Sequence, residues 1–98
     1  MTIVTVINPF ELPQGREDEA LSMWDTLAEY FRKQPGYIST TLHKALSPDT
    51  KFHLINIAKW ESAEAFQAAL SNPELQNIAN ELPNDIPHYP GLYEVART

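Results

Sequence analysis

The sequence predicts an α+β fold, a four-stranded antiparallel sheet with helices on one face, laid down in the order βαββαβ. Three features carry that prediction. A β-branched run opens the chain, apolar residues at helical spacing follow it, and two β-rich runs flank a cluster of turn residues further on.

The opening run, Ile3-Val4-Thr5-Val6-Ile7-Asn8, reads as a strand that stops at Pro9, which cannot donate to a ladder. Residues 10–14 contain Pro13 and read as a loop. Gly15 then precedes Glu17-Asp18-Glu19, negative charge placed where a helix N-terminus favours it. Ala20, Leu21, Trp24, Leu27, Ala28 and Phe31 recur at three- and four-residue spacing, and Pro35-Gly36 stops the helix they define. Residues 37–46 and 52–60 are β-rich, and Ser47-Pro48-Asp49-Thr50 between them predicts an antiparallel hairpin. With Leu46 paired to Lys51, Thr41 faces Asn56, His43 faces Leu54 and Tyr37 faces Trp60. That register puts Asn56, Trp60 and His43 on one face and Ile38, Leu42, Ile55 and Ile57 on the other. Ser62 predicts the N-cap of a short helix whose Ala63, Phe66 and Leu70 form its apolar side. Asn72-Pro73 then starts a further helical piece lined by Leu75, Ile78, Ala79 and Leu82, which Pro83 closes. After a proline-bearing loop over 84–90, residues 92–96 make the last strand. The order is the ferredoxin-like arrangement, read as one unit over 1–98.

Both faces of such a sheet carry apolar residues, and helices cover only one. The uncovered face predicts a homodimer, because a bare sheet would expose an unusually large apolar patch.

Composition narrows the partners. Ninety-eight residues suit a single unit, and 43% hydrophobic against 20% charged residues describes a chain that buries a core. A net charge of −6 repels phosphate backbones and anionic headgroups, which points away from nucleic acid and membrane and toward small molecules or protein. With no cysteine there is no disulfide, thiolate ligand or thiol nucleophile. The N-terminal residues lack the pattern of a secretory signal, and no apolar run approaches the ~20 residues of a spanning helix, so the expectation is a cytoplasmic protein.

Few residues suggest chemistry. His43 and His53 fall on opposite faces and His88 lies in the loop over 84–90, so no metal site is predicted. No phosphate loop, dinucleotide fingerprint or nucleophile elbow is present. What stands out is Asn56, a primary amide in the apolar strand Leu54-Ile55-Asn56-Ile57-Ala58, with Trp60 four residues on and therefore on the same side. Left unpartnered, a buried amide costs about 1–3 kcal/mol, so Asn56 needs a structural hydrogen bond, such as one from Thr41, or a ligand. In the structural case Trp60 merely fills the core.

Val6-Ile7-Asn8-Pro9, Pro35-Gly36-Tyr37, Leu42-His43 and above all Asn56-Ile57-Ala58-Lys59-Trp60-Glu61-Ser62-Ala63-Glu64-Ala65-Phe66 resemble the antibiotic biosynthesis monooxygenase family. The resemblance implies a dimeric α+β barrel. In the branch that oxidises anthrones and related polyketide phenols it implies reaction with molecular oxygen without flavin, haem or metal. Asn56 would then polarise the substrate carbonyl, Trp60 would flank an aromatic ring and donate its N–H to oxygen, and His43 would assist proton transfer unless it is structural or solvent-facing. Asn8, Tyr30, Thr41, Phe66 and Tyr93 are the expected substrate-binding residues, with Tyr89 a further source of a hydroxyl. Anthrone-oxidising members tend to carry tyrosine at the positions of Leu42 and Phe66 and arginine near Gln76, so the departures imply a different quinol or a weaker activity. Haem-degrading relatives share Asn8 and Trp60 but carry an axial histidine where this chain has Leu70. A third possibility is a non-catalytic dimer that binds a small aromatic ligand in the same pocket.

Overall fold

The computed structural model describes residues 2–98; Met1, the first residue of the unit read from the sequence, lies outside the described residues. The elements run β1 (Val4–Phe10), α1 (Glu17–Arg32), β2 (Tyr37–Lys44), β3 (Leu54–Trp60), α2 (Ala63–Ser71), α3 (Pro73–Ala79) and β4 (Gly91–Tyr93). The sheet order is β2-β3-β1-β4 and every neighbouring pair is antiparallel. This is the expected α+β, ferredoxin-like arrangement. The smallest Cα extent, 16 Å, leaves room for one helical layer on the sheet.

Two strands differ from expectation at their ends. Pro9 does not stop β1, which continues to Phe10 with Pro9 opposite Ile55. The Pro9 carbonyl accepts from the Tyr89 N–H at 3.0 Å, so its backbone polar groups point away from β3. The missing N–H therefore removes no bond from the central ladder. At the other end of the chain, Tyr93 already pairs with Thr5, one residue from the start of β1. Residues 94–96 have almost no partner strand left, and β4 is three residues long instead of five.

The hairpin register holds at one end and slips at the other. Tyr37 pairs with Trp60 as expected, but a bulge between Tyr37 and Ser39 advances β2 by one residue, so that Thr40 lies opposite Ala58, Leu42 opposite Asn56 and His43 opposite Ile55. Because side chains alternate, that single step exchanges the faces of β2. Thr40 and Leu42 come to the helical side, while Thr41 and His43 go to the outer one. Gly36 permits the tight entry into β2: its φ is +88°, and a Cβ there would collide with that of Ala65 on α2.

The helices start where their caps dictate. Ser62 accepts the Ala65 N–H at 3.1 Å, and Asn72 accepts the Glu74 N–H at 2.9 Å ahead of Pro73 at the first turn. Helix α1 has no side-chain cap but carries Glu17, Asp18 and Glu19 in its first turn.

Between helices and sheet the core is split. One cluster holds Phe10, Ala20, Met23, Leu54 and Ile86; the other holds Val6, Ala58, Trp60 and Ala69. No helix is long and apolar enough to cross a membrane, among the described residues.

Candidate functional site

The two core clusters do not meet over the middle of the sheet, and a cavity of about 630 Å³ lies between them. That volume suits a small organic ligand. Its floor is the helical face of β1 and β3, its walls come from all three helices, and the segment from Leu82 to Leu92 closes one side. No carboxylate, lysine or arginine lines it among the described residues. The lining is apolar except for a few hydrogen-bonding groups, several of which form a row across the floor.

Asn56 is the centre of that row. The indole N–H of Trp24 donates to its Oδ1 at 3.0 Å and the Thr40 hydroxyl donates to the same oxygen at 2.8 Å. An indole nitrogen can only donate, so the atom facing Trp24 must be the carbonyl oxygen, and this fixes the sense of the amide. Nδ2 is left without a protein acceptor, yet it is not sealed in. It therefore presents its N–H groups to the cavity.

Asn8 lies directly opposite Asn56 across the β1–β3 pairing and extends the row. Its Nδ2 lies 3.4 Å from Nδ1 of His88. Its Oδ1 is sealed from solvent and has no hydrogen-bond partner, a state that costs about 1–3 kcal/mol. His88 itself stacks on Phe10, with centroids 5.8 Å apart and ring planes 18° from parallel. The loop that bears it is pinned at several points. Ile86 is buried in the core, Glu11 N–H donates to the Pro87 carbonyl at 2.9 Å, and Arg16 grips both carboxylate oxygens of Asp85 at 2.7 and 2.9 Å. The guanidinium holds the Asp85 carboxyl below the usual carboxylate range.

Trp60 lines the far end of the cavity and is only 1% exposed. Phe31, Tyr37 and Phe66 meet its ring edge-on or tilted at 5.4–6.0 Å. Such contacts lock the ring as a rigid wall.

Of the residues expected from sequence, Asn56, Trp60, Asn8 and Phe66 are brought together around this cavity. Four others are not. His43 and Thr41 sit on the outer face, exposed, because of the β2 bulge; the expectation that His43 shares a face with Asn56 and Trp60 is corrected. Tyr93 pairs with Thr5 and therefore also points outward, 54% exposed. Tyr30 is buried on the other side of α1, where its hydroxyl donates to the Ala69 carbonyl at 2.7 Å and burial pushes its phenol up. Tyr89 is half exposed against Phe52, with the Glu11 carboxylate raising its phenol. In place of Thr41, the hydroxyl that reaches Asn56 belongs to Thr40. Sequence reading missed Trp24, Thr40 and His88 as members of the site. By spacing Trp24 belongs to the apolar stripe of α1, and only the lone N–H it carries among aliphatic neighbours hints at more.

Leu70, on α2, also lines the cavity. Among the described residues no group of three His, Cys, Asp or Glu side chains gathers to hold a metal.

Comparison with known proteins agrees with this geometry. Residues 3–81 match the family model of antibiotic biosynthesis monooxygenases. Deoxynogalonate monooxygenase of Streptomyces nogalater is 34% identical over 70 residues, which cover 71% of this chain and 57% of that relative's length. A candidate monooxygenase of Shewanella loihica superimposes with a TM-score of 0.87 at 33% identity, over 99% of this chain and 97% of that one. SnoaB, a cofactor-independent oxygenase of Streptomyces nogalater, superimposes with a TM-score of 0.83 at 30% identity, over 100% and 97% of the two chains.

Proposed function

The chain belongs to the antibiotic biosynthesis monooxygenase family, and from that membership we propose that it is a cofactor-independent oxygenase acting on a small, electron-rich phenol or quinol of the polyketide type. For a methylene flanked by phenolic rings, the reaction consumes one molecule of oxygen and yields a ketone and one molecule of water. One oxygen atom enters the new carbonyl, the other leaves as water, and the substrate supplies all four electrons. No external reductant is needed. What the protein must do is favour loss of a proton, hold the enolate that results and keep bulk water away from it.

The observation that carries the reading is the amide of Asn56. Its oxygen is held by Trp24 and Thr40, so its N–H groups face an apolar, uncharged cavity at fixed orientation. A preorganised donor in such surroundings stabilises a developing oxyanion far better than the same donor in water. Trp60 flanks the aromatic substrate, and no side-chain acceptor among the described residues takes its N–H, which leaves it for an oxygen atom of the substrate or of O2. Phe66 and Asn8 complete the contact surface.

Helix α2 offers haem no axial ligand, and the one imidazole of the lining among the described residues, His88, lies across the cavity from it. Leu70 faces the cavity at the position where haem-degrading members carry a histidine, and the α2 residues beside it, Phe66 and Gln67, offer no axial ligand.

The outer sheet face, with Ile7, Ile55 and Ile57 in adjacent strands and no helix over it, is proposed to pack against a second copy of the chain.

The test is oxygen uptake by chelator-treated protein over a panel of anthrones and hydroquinones, with a hemin titration beside it. Uptake that falls about a hundredfold in Asn56→Ala, with no Soret shift on adding hemin, is the expected result. Tight binding of the aromatic panel without oxygen uptake would overturn the oxygenase reading in favour of a ligand-binding dimer.

A further inference from the structure

We propose that His88 is the base that takes the substrate's proton, with Asn8 steadying its ring before the transfer and accepting a hydrogen bond from it afterwards. The proposal rests on the oxygenase reading above. It extends that reading to a residue outside the segment, 3–81, that matches the family model.

Among the described residues that line the cavity only His88 and Tyr37 exchange protons readily. Tyr37 lies at the Trp60 end, with its ring edge-on to the indole at 5.7 Å, and a phenol is a poor acceptor. His88 lies at the opposite end, bridged to Phe10 on the β4 side of β1. Thr40, Asn56, Asn8 and His88 thus follow one another across the floor. Adjacent strands lie about 4.8 Å apart and His88 sits opposite Phe10, two residues along from Asn8, which puts its backbone roughly 12 Å from that of Asn56, with both side chains reaching into the space between. A substrate of two or three fused rings spans that space. It would meet a donor for its carbonyl oxygen at one end and an acceptor for its acidic hydrogen at the other.

The Asn8 amide meets the His88 ring at Nδ1, 3.4 Å away. With Nδ2 of the amide facing Nδ1, the ring accepts there and carries its hydrogen on Nε2; with the amide turned over, Oδ1 accepts from an Nδ1–H instead. At 3.4 Å the contact is long for a hydrogen bond, so a substrate hydroxyl or enol can displace it. Once Nδ1 is protonated, a half-turn of the Asn8 amide brings Oδ1, sealed and unpartnered in the resting protein, into a hydrogen bond with the new N–H. The orphaned oxygen gains its partner when Nδ1 carries hydrogen, as it always does in the protonated ring. Asp85, on the same loop, is engaged by Arg16, and Asn8 is the side chain that meets Nδ1 of an imidazole otherwise open to solvent.

In the step itself the bond from hydrogen to substrate breaks, the electron pair remains on the substrate as an enolate, and the proton moves to the imidazole. The enolate takes up O2. In the peroxide anion that results, the O–O bond breaks as the second hydrogen of the carbon that took up O2 passes to the distal oxygen; the carbonyl forms, hydroxide leaves, and hydroxide takes the proton from His88 as water, which returns the imidazole to its starting state.

The experiment separates proton transfer from oxidation. 1,8-Dihydroxy-9-anthrone, whose anion absorbs at longer wavelength than the neutral form, is titrated under nitrogen into wild-type, His88→Gln and His88→Ala protein. The expected result is a bound anion in the wild type and at least a tenfold smaller anion fraction in His88→Gln, with affinity for the neutral form within threefold. Added imidazole restores the anion band in His88→Ala, which a misfolded protein would not allow. Equal anion bands in wild type and His88→Gln would overturn the proposal. Admitting air then tests the other reading: a wild type that ionises the anthrone but consumes no oxygen refutes the oxygenase and leaves the proton role intact.

Discussion

Trp24→Phe isolates the device that aims the Asn56 amide. The substitution keeps an aromatic ring in α1 and removes one donor, the N–H that reaches Oδ1 at 3.0 Å. In the wild type, turning the amide over would set the indole N–H against an NH2 group and forfeit that hydrogen bond, a loss of about 1–2 kcal/mol. The productive sense is then populated at roughly 85–97%. Without Trp24 only Thr40 holds the oxygen, at 2.8 Å, and a hydroxyl donates or accepts with equal ease. The two senses become comparable and the productive fraction falls by about half. Loss of rigidity adds to this, so kcat/KM with an oxidisable anthrone should drop between two- and tenfold, against about 10²–10³ for Asn56→Ala. The double variant should match Asn56→Ala within about twofold, because nothing is left to aim. Oxygen-electrode rates for the four proteins close the cycle. If Trp24→Phe costs the same factor in both backgrounds, Trp24 acts on the substrate directly and the aiming argument is wrong.

Three other outcomes follow from the same structure. Trp60→Ala empties a space walled by Phe31, Tyr37 and Phe66 and should cost about 3–5 kcal/mol in urea unfolding, whereas Trp60→Phe should cost markedly less. The Asp85 carboxyl is held low by Arg16 and that of Glu17 by His53 and then Lys44, so each adds stability that is present above the ordinary carboxylate value and lost as pH falls through the lowered one. Melting temperatures should therefore fall below about pH 4, and Asp85→Asn should flatten that decline. Ile57→Glu, on the outer face, should leave the circular dichroism spectrum unchanged and halve the mass seen by light scattering; an unchanged dimer would place the interface elsewhere.

Element order was legible because each element announces itself locally: β-branched runs, a helical stripe, and Ser62 and Asn72 at the two caps. The face of β2 was not. Extrapolation from a turn residue fixes a register only if no residue is inserted, and the bulge after Tyr37 inserts one, which moved His43 out and Leu42 in. Ile38, the residue between the shifted pairs, carries no glycine or proline to mark it. His88 was hidden for another reason. Residues 84–90 look like a proline loop, yet Ile86 and His88 alternate as strand residues do, one buried in the core and the other against Phe10. Pairing with β1 is a long-range event with no local sign beyond that alternation. Asn56 and Trp60 were readable because an amide amid aliphatic strand residues is conspicuous without any knowledge of its surroundings.

A row of amides and a hydroxyl through the middle of a sheet is a poor choice for stability alone, and this offers a way to separate folding from function. Asn8 sits beside Val6 and Phe10 on a strand whose helical face is otherwise apolar, and it leaves one sealed oxygen unpartnered. Leucine has the branching and the number of side-chain heavy atoms of asparagine, its greater bulk can extend into the cavity that Asn8 lines, and it has no polar atom to satisfy. Replacing a polar group whose hydrogen bonding is incomplete with an apolar one of like shape is neutral or stabilising, so Asn8→Leu should raise the unfolding free energy by about 1 kcal/mol. The same change removes the acceptor that steadies protonated His88, so oxygen uptake should fall while the protein becomes more resistant to urea. A gain in stability with a loss of rate is the pattern expected where strain is kept for a purpose. If Asn8→Leu is instead destabilised by about 1 kcal/mol or more, the amide contributes to the fold, and the orphaned oxygen has a partner in solution, such as a bound water.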